Sequence, residues 1–305
     1  WKQYLDIIYL DDHNYRFITS LCSSINEHHS MQTKDGFVEL HQAWSLAQNS
    51  WVSENRPPLL KLKESDRERG LKILESWAIP RGSWFVALHV RESSDGVLRS
   101  GPNADILTYL PAMQAITSRG GYVVRMGHPG MKKLPSIPNV IDYANSEDKS
   151  DWMDVFLWAS CKFFIGTSSG PMGVPPTFGT PILHTNAVNI GKDAYLPNSL
   201  LLPKLYWSKE KNRFFTFKEM LDGPMGWSVS RVYDGVDFDL IDNTPEEIEL
   251  AVVEMLDNLE SPTLKRKELS NLQQQFNELR KQYGDTGQMT ISETFIQKHS
   301  DLLRP

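Results

Sequence analysis

Between Phe163 and Pro181 the chain reads FFIGTSSGPMGVPPTFGTP, an apolar run that ends in Gly166, Thr167, Ser168, Ser169 and Gly170. Hydroxyls and glycine-flanked backbone N–H groups at a strand-to-helix turn gather donors around one point, a chemistry suited to phosphate oxygens. Taken alone, a run of Ser and Gly is also an ordinary turn. Other polar positions follow or flank apolar segments in the same way. WFVALHV (84–90) ends in His89 and is followed by Arg91, YVVRMG (122–127) delivers Arg125 and Gly127, and SDWMDVFLWAS (150–160) carries Asp151 and Asp154 in its first turn. Guanidinium matches phosphate bidentately, so two arginines beside the GTSSG turn would complete a diphosphate site. A carboxylate in that company suits a base or a ribose, and Asp154 could accept hydrogen bonds from a nucleobase edge.

The elements that must position these residues begin at Trp84, where strand and helix patterns start to alternate as they do in βαβ units around a parallel sheet. Strands are predicted over 84–90, 122–127, 140–144, 161–167 and 180–186. Helices are predicted over 104–121, with Pro111 as a kink, and over 150–160, with Ser150 as N-cap. After the strand over 180–186 the chain reads as loop-rich to about residue 243. Residues 1–80 read as mostly helical, from Tyr15, Ile18, Leu21 and Ile25, then Phe37, Leu40 and Trp44, then a helix from Ser65 to about Ala78, with no strong strand. The C-terminal part is helical. NTPEEI (243–248) combines an N-cap Thr244, Pro245 at the first helical position and Glu247 three residues after the cap, and Leu269, Leu272, Phe276 and Leu279 recur at helical spacing. The reading is therefore α/β: a helical N-terminal region over 1–80, a Rossmann-like parallel-sheet domain over 81–243, and C-terminal helices over 244–305.

In an open parallel sheet, ligands bind outside the carboxyl ends of the strands. His89, Arg91, Arg125 and Thr167 to Gly170 all fall at such ends. The helix over 150–160 runs antiparallel to the strand after it, so Asp154 belongs to the same edge. For Arg125 the competing reading is an ion pair with Asp142 or Asp154.

Three segments, ALHVRESSDGVLRSGPNADILTYLP, GYVVRMGHPGMKKLPSIPNVIDYA and DVFLWASCKFFIGTSSG, resemble the motif blocks of the fucosyltransferase-like GT-B group, in order and approximate spacing. That group includes the α1,6-fucosyltransferases, their nodulation relatives and the protein O-fucosyltransferases. Residues 84–305 also resemble a bacterial family classed with the glycosyltransferases and found around surface-polysaccharide genes, through the elements SDWMDVFL, GTSSG, FGTP and NTPEEI. The resemblance implies a GT-B-like fold. It implies that Arg91 holds the donor's β-phosphate, that His89 lies by the base, that Asp154 contacts guanine, and that Thr167, Ser168 and Ser169 contact phosphate. Two positions depart from the pattern: Glu92 stands where many fucosyltransferases have a second arginine, and Arg125-Met-Gly-His128 stands where they have an acidic pair. Glu92 argues against GDP-fucose as donor, and Arg125 could supply the missing positive charge.

The expected activity is thus transfer of a sugar from a nucleotide-diphosphate sugar, with a GDP-sugar favoured, to a glycan or other hydroxyl acceptor, by an inverting, metal-independent route. Arg91, Arg125 and the Thr167 to Gly170 amides would stabilise the leaving diphosphate, and Asp95 is favoured over Glu92 and Asp105 as base. A nucleotide-sugar epimerase or hydrolase, or a non-catalytic sugar-nucleotide or glycan-binding module, are the alternatives. With 305 residues, 40% of them hydrophobic, and a net charge of −6, the chain is globular in composition and ill suited to nucleic acid. The only cysteines, Cys22 and Cys161, fit a reducing cytoplasm, and no run is long and apolar enough to span a membrane, so a soluble, cytoplasmic bacterial protein is expected, with peripheral association at the inner face of the membrane as the alternative. His28, His29, His128 and His184 have no Cys or acidic partner at ligand spacing, so no metal is expected; Asp11-Asp12-His13 reads as an exposed acidic loop, with an acceptor-side base or a metal site as the alternative. The chain opens on Trp1 and not Met, which implies that a longer N-terminus precedes it.

Overall fold

The computed structural model describes residues 5–7, 30–33, 36–92, 101, 103–190, 196–222, 238–260, 269–285 and 287–304. Its centre is a seven-stranded, fully parallel sheet. In chain order the strands are β5 (Phe85–His89), β6 (Tyr122–Arg125), β7 (Val140–Ile141), β8 (Phe164–Gly166), β9 (Ile182–Ala187), β10 (Leu200–Pro203) and β14 (Thr290–Ile291). Across the sheet they lie in the order β14-β10-β9-β8-β5-β6-β7. From β5 the chain first steps outward through β6 and β7. It then returns to the other side of β5 and steps outward again through β8, β9, β10 and β14. The direction of winding reverses between β5 and β8, and such a reversal opens a crevice at the carboxyl edge, because the two flanking connections leave on opposite faces.

The central strands are continuous apolar runs and not alternating ones, because helices cover both faces. Val86, Ala87, Val123, Val124, Ile165 and Leu183 are all fully buried. α3 (Leu110–Ser118) follows β5 and packs against α6 (Pro245–Glu260), while α4 (Asp151–Ser160) leads into β8 and packs against α2 (Glu64–Ser76). α2 and α4 approach closely: a Cβ on Gly70 would sit 2.2 Å from the Phe156 ring. Trp152 Nε1 donates to Asp66 at 3.0 Å, and Trp77 Nε1 donates to Asp148 at 2.7 Å. These contacts fix the N-terminal end of α4 at the sheet edge.

Local helix chemistry behaves as its residues dictate. Ser150 caps α4, its hydroxyl accepting from the Met153 amide at 3.3 Å. Thr244 and Glu247 form a reciprocal capping box on α6, with the Thr244 amide donating to Glu247 at 2.9 Å and the Glu247 amide donating to Thr244 Oγ1 at 3.2 Å. Pro111 does not kink a helix. A 3-10 turn over Ile106–Tyr109 precedes α3, and Pro111 lies in its first turn, where its missing N–H costs nothing.

Other expectations are corrected. The N-terminal region contains strands: β1 (Leu5–Ile7) pairs antiparallel with β4 (Leu60–Leu62), and β2 (Ser30–Thr33) pairs with β3 (Gly36–Glu39), which takes in Phe37. Helix α1 (Leu40–Ser53) follows directly. The stretch up to residue 243 is not only loop, since it holds β10, the antiparallel trio β11 (Leu205–Ser208), β12 (Arg213–Phe214) and β13 (Phe238–Ile241), and the short α5 (Phe217–Asp222). Leu269 is exposed and precedes α7 (Asn271–Gln282), which keeps Phe276 buried. The segment 140–144 is a two-residue strand followed by a 3-10 turn over Tyr143–Asn145, and α8 (Glu293–Lys298) is followed by a 3-10 turn over Ser300–Leu303. Tyr15 to Ile25, Asp11 to His13, Cys22, His28 and His29 lie outside the described residues.

Candidate functional site

Three strand exits meet beside the winding reversal. His89 pairs in register with Gly166, and Leu88 with Arg125, so β5, β6 and β8 end at one level. The Arg91 amide donates to Thr167 Oγ1 at 2.9 Å, and the Thr167 amide donates to the His89 carbonyl at 3.3 Å. Thr167 is fully buried, and its hydroxyl is engaged with the backbone of the neighbouring exit.

Beyond Thr167 the backbone is open. The amides of Ser168, Ser169 and Gly170 donate to no acceptor among the described residues. Gly170 is exposed, and a Cβ placed on it would meet nothing within 4 Å. Gly166 is the opposite case: a Cβ there would lie 2.4 Å from Met172 Sδ, so glycine is what lets the 3-10 turn over Gly170–Gly173 fold back on the strand it leaves.

The serine hydroxyls each reach a histidine. Ser168 Oγ lies 3.0 Å from His184 Nε2 and accepts from the Val188 amide at 3.3 Å, while Ser169 Oγ lies 3.4 Å from His89 Nδ1. Burial, reinforced by the positive charges of Arg125, His128 and Lys149, lowers the His89 pKa to about 4. His89 is therefore a neutral imidazole at neutral pH.

The two arginines differ sharply. Arg91 is exposed, and among the described residues its guanidinium has no hydrogen bond or ion pair. Arg125 has no exposed surface: Nη1 donates to Asp142 Oδ1 at 2.9 Å, and Nη2 donates to Glu92 Oε2 at 3.2 Å and to the Lys132 carbonyl at 3.1 Å. Its Nε is buried without a partner among the described residues. The alternative weighed from sequence, an ion pair with Asp142, is present, and Glu92 joins it. Glu92 Oε2 also accepts from the Lys132 amide at 3.1 Å, and burial raises its carboxyl pKa against the opposing pull of Arg125. Asp105 accepts from the Leu107 amide at 3.0 Å, as an N-cap does, and from Lys132 Nζ at 2.9 Å. Asp95 lies outside the described residues.

Asp154 faces the same edge. Its Oδ2 receives the Lys149 ammonium, and its buried Oδ1 has no well-aligned donor. Burial raises its carboxyl pKa, with Lys149 pulling the other way. Lys149 escapes a motif-based reading, although there is a signal: it immediately precedes the N-cap of α4, where the positive helix end disfavours a cation. His184, fully inside β9, was not assigned a partner from sequence either, because only the β8–β9 pairing brings it to Ser168.

Cys161 is buried, and burial pushes its thiol up to about 12. Among the described residues no group of three or more His, Cys, Asp or Glu converges as a metal site, and no helix is long and apolar enough to cross a membrane.

No protein-family model matches the chain, and no curated protein matches it. Among solved structures, a glycosyl transferase family 9 protein from Veillonella parvula aligns over 65% of this chain at 13% identity with a TM-score of 0.42. The ADP-heptose lipopolysaccharide heptosyltransferase II of E. coli aligns over 67% at 14% identity with a TM-score of 0.38. The alignments cover 53% and 56% of those two chains, so this chain spans about half their length.

Proposed function

We propose that the chain is a glycosyltransferase that binds a nucleotide-diphosphate sugar in the crevice between the β5 and β8 exits. The observation that carries the reading is the row of three amides, Ser168 to Gly170, without acceptors among the described residues, next to a β5 exit where Arg91, bound through its backbone to Thr167, has a guanidinium with no partner among the described residues. Backbone donors held by a rigid strand end and a free guanidinium suit an anion whose charge grows as a bond breaks. The acceptor hydroxyl oxygen attacks the anomeric carbon, the bond from that carbon to the diphosphate oxygen breaks, and the departing charge falls on Arg91 and the amides. The hydroxyl proton passes to a carboxylate, Asp95 in this proposal, because Glu92 is held by Arg125 and Asp105 caps a turn.

The neutral His89 and Asp154 then line the nucleobase side, with a GDP-sugar favoured. Arg125 serves by position, holding Glu92 and the segment after β6 against the crevice. Protein cations take the part that a metal plays in other transferases. The remaining elements of the proposal are inversion at the sugar, a glycan acceptor, and a place in surface-polysaccharide assembly at the inner face of a bacterial membrane.

The test is thermal melting of the protein with GDP, UDP, ADP and CDP, followed by incubation with the matching nucleotide sugars with and without acceptor glycans. A ligand that binds only the folded state raises the melting temperature, and Arg91→Ala is expected to abolish that rise. An unchanged rise in the variant sinks the crevice assignment, and sugar release that ignores acceptors assigns the site to hydrolysis.

A further inference from the structure

With Arg125 enclosed by Glu92, Asp142 and the Lys132 carbonyl, a diphosphate bearing two or three negative charges would face Arg91 as the only arginine named so far. Of the further cations at that edge, Lys132 is taken up by Asp105. Lys149 lies in the segment leading into α4, and because α4 runs antiparallel to β8, its N-terminal end sits at the carboxyl edge where Ser168 to Gly170 emerge. The segment is anchored on both sides. The Ser150 amide donates to the Tyr143 hydroxyl at 3.1 Å, that hydroxyl donates to the Ser150 carbonyl at 3.1 Å, and Trp77 holds Asp148.

The Lys149 ammonium sits 5.3 Å from the centre of the Tyr143 ring and contacts Asp154 Oδ2, with 16% of its side chain exposed. An ammonium carries three donors, and among the described residues one is used. We infer that Lys149 is the second ligand-binding cation of the donor site, directing its remaining N–H groups at the diphosphate while Asp154 holds it in place. This rests on the donor-site reading above. The charge of Lys149 contributes, after burial, Arg125 and His128, to the lowered pKa of His89, whose Nδ1 lies 3.4 Å from Ser169 Oγ. A cation beside the positive end of α4 carries a cost that Asp154 offsets and an arriving anion offsets further. Asp154 thus has two parts, Oδ2 positioning the lysine while Oδ1, without a well-aligned donor among the described residues, is left for the nucleobase.

The experiment is titration calorimetry with whichever of GDP, UDP, ADP and CDP raises the melting temperature, applied to the wild-type protein, Lys149→Met, Asp154→Asn and the double variant. The double variant keeps the local charge balance, so it remains measurable even where Lys149→Met alone strands a buried carboxylate. The expected result is diphosphate binding weakened roughly tenfold or more by Lys149→Met, both with Asp154 in place and when Asp154→Asn is already present, as loss of a charge-assisted hydrogen bond predicts. Two results overturn the inference and leave the donor site standing: wild-type affinity in Lys149→Met, or an effect of that substitution which vanishes once Asp154→Asn has removed the carboxylate charge. Failure of the wild-type protein to bind any of the four nucleotides overturns the donor-site reading itself.

Discussion

The backbone N–H of Arg91 donates to the hydroxyl of Thr167 at 2.9 Å, although 76 residues separate them. This bond ties the exit of β5 to the exit of β8 at the place where the sheet changes its direction of winding. Thr167→Val keeps the shape and removes the acceptor, leaving the amide unsatisfied. The expected cost is about 1–3 kcal/mol in urea unfolding, with weaker nucleotide binding because Arg91 and the amide row lose their common anchor. Thr167→Ser should retain most of both.

Arg125 neutralises two carboxylates inside the protein. Removing only the cation, as in Arg125→Met, strands Glu92 and Asp142 and should lower stability by about 3–5 kcal/mol. Adding Glu92→Gln and Asp142→Asn to that variant should recover a substantial part of the loss. Denaturation midpoints at constant slope measure both effects. A single variant as stable as wild type would show that the enclosure contributes nothing.

His89 makes stability depend on pH in a defined direction. Its pKa falls from 6.5 to about 4 on folding, so the unfolded chain binds the proton more readily. The contribution is complete above pH 6.5 and is lost as pH falls from 6.5 toward 4, by up to about 3 kcal/mol. His89→Gln should flatten the acid limb of a melting-temperature profile across that interval, relative to wild type in the same buffers.

Asn186 and Asn243 exchange backbone-to-side-chain bonds. The Asn186 amide donates to Asn243 Oδ1 at 2.6 Å, and the Asn243 amide donates to Asn186 Oδ1 at 2.8 Å. Asn243 Nδ2 also donates to the Pro203 carbonyl at 2.7 Å. This pair joins the end of β9 to the start of α6, and Asn243→Ala should cost roughly 2–4 kcal/mol by leaving buried groups unpaired. Asn186 has φ of 49°, so Asn186→Gly should be less damaging than Asn186→Ala by about 1 kcal/mol. Thermal unfolding of the three variants ranks them.

By itself, the sequence determined what local chemistry determines. Ser150, Thr244 and Glu247 cap their helices because the groups they satisfy lie within a few residues, and FVALH and FIG become buried parallel strands because they are apolar on both faces. The same apolar-to-polar boundaries marked His89, Arg91 and Thr167 to Gly170 as strand exits. Only tertiary structure decided how those exits are used. Arg91 and Arg125 look alike as residues after apolar runs, yet one is open and the other is closed in by Glu92 and Asp142, whose approach depends on the segment after β6 folding back. Likewise the strand order was not legible, since β14 is supplied by Thr290–Ile291 at the far end of the chain and pairs with β10. The partners of Lys149 were likewise not legible, since its ammonium meets Asp154 Oδ2 and the Tyr143 ring only once the chain is folded. Hydrogen bonds within a turn are written into neighbouring residues, whereas the partners of a buried charge are chosen by packing across the whole sheet.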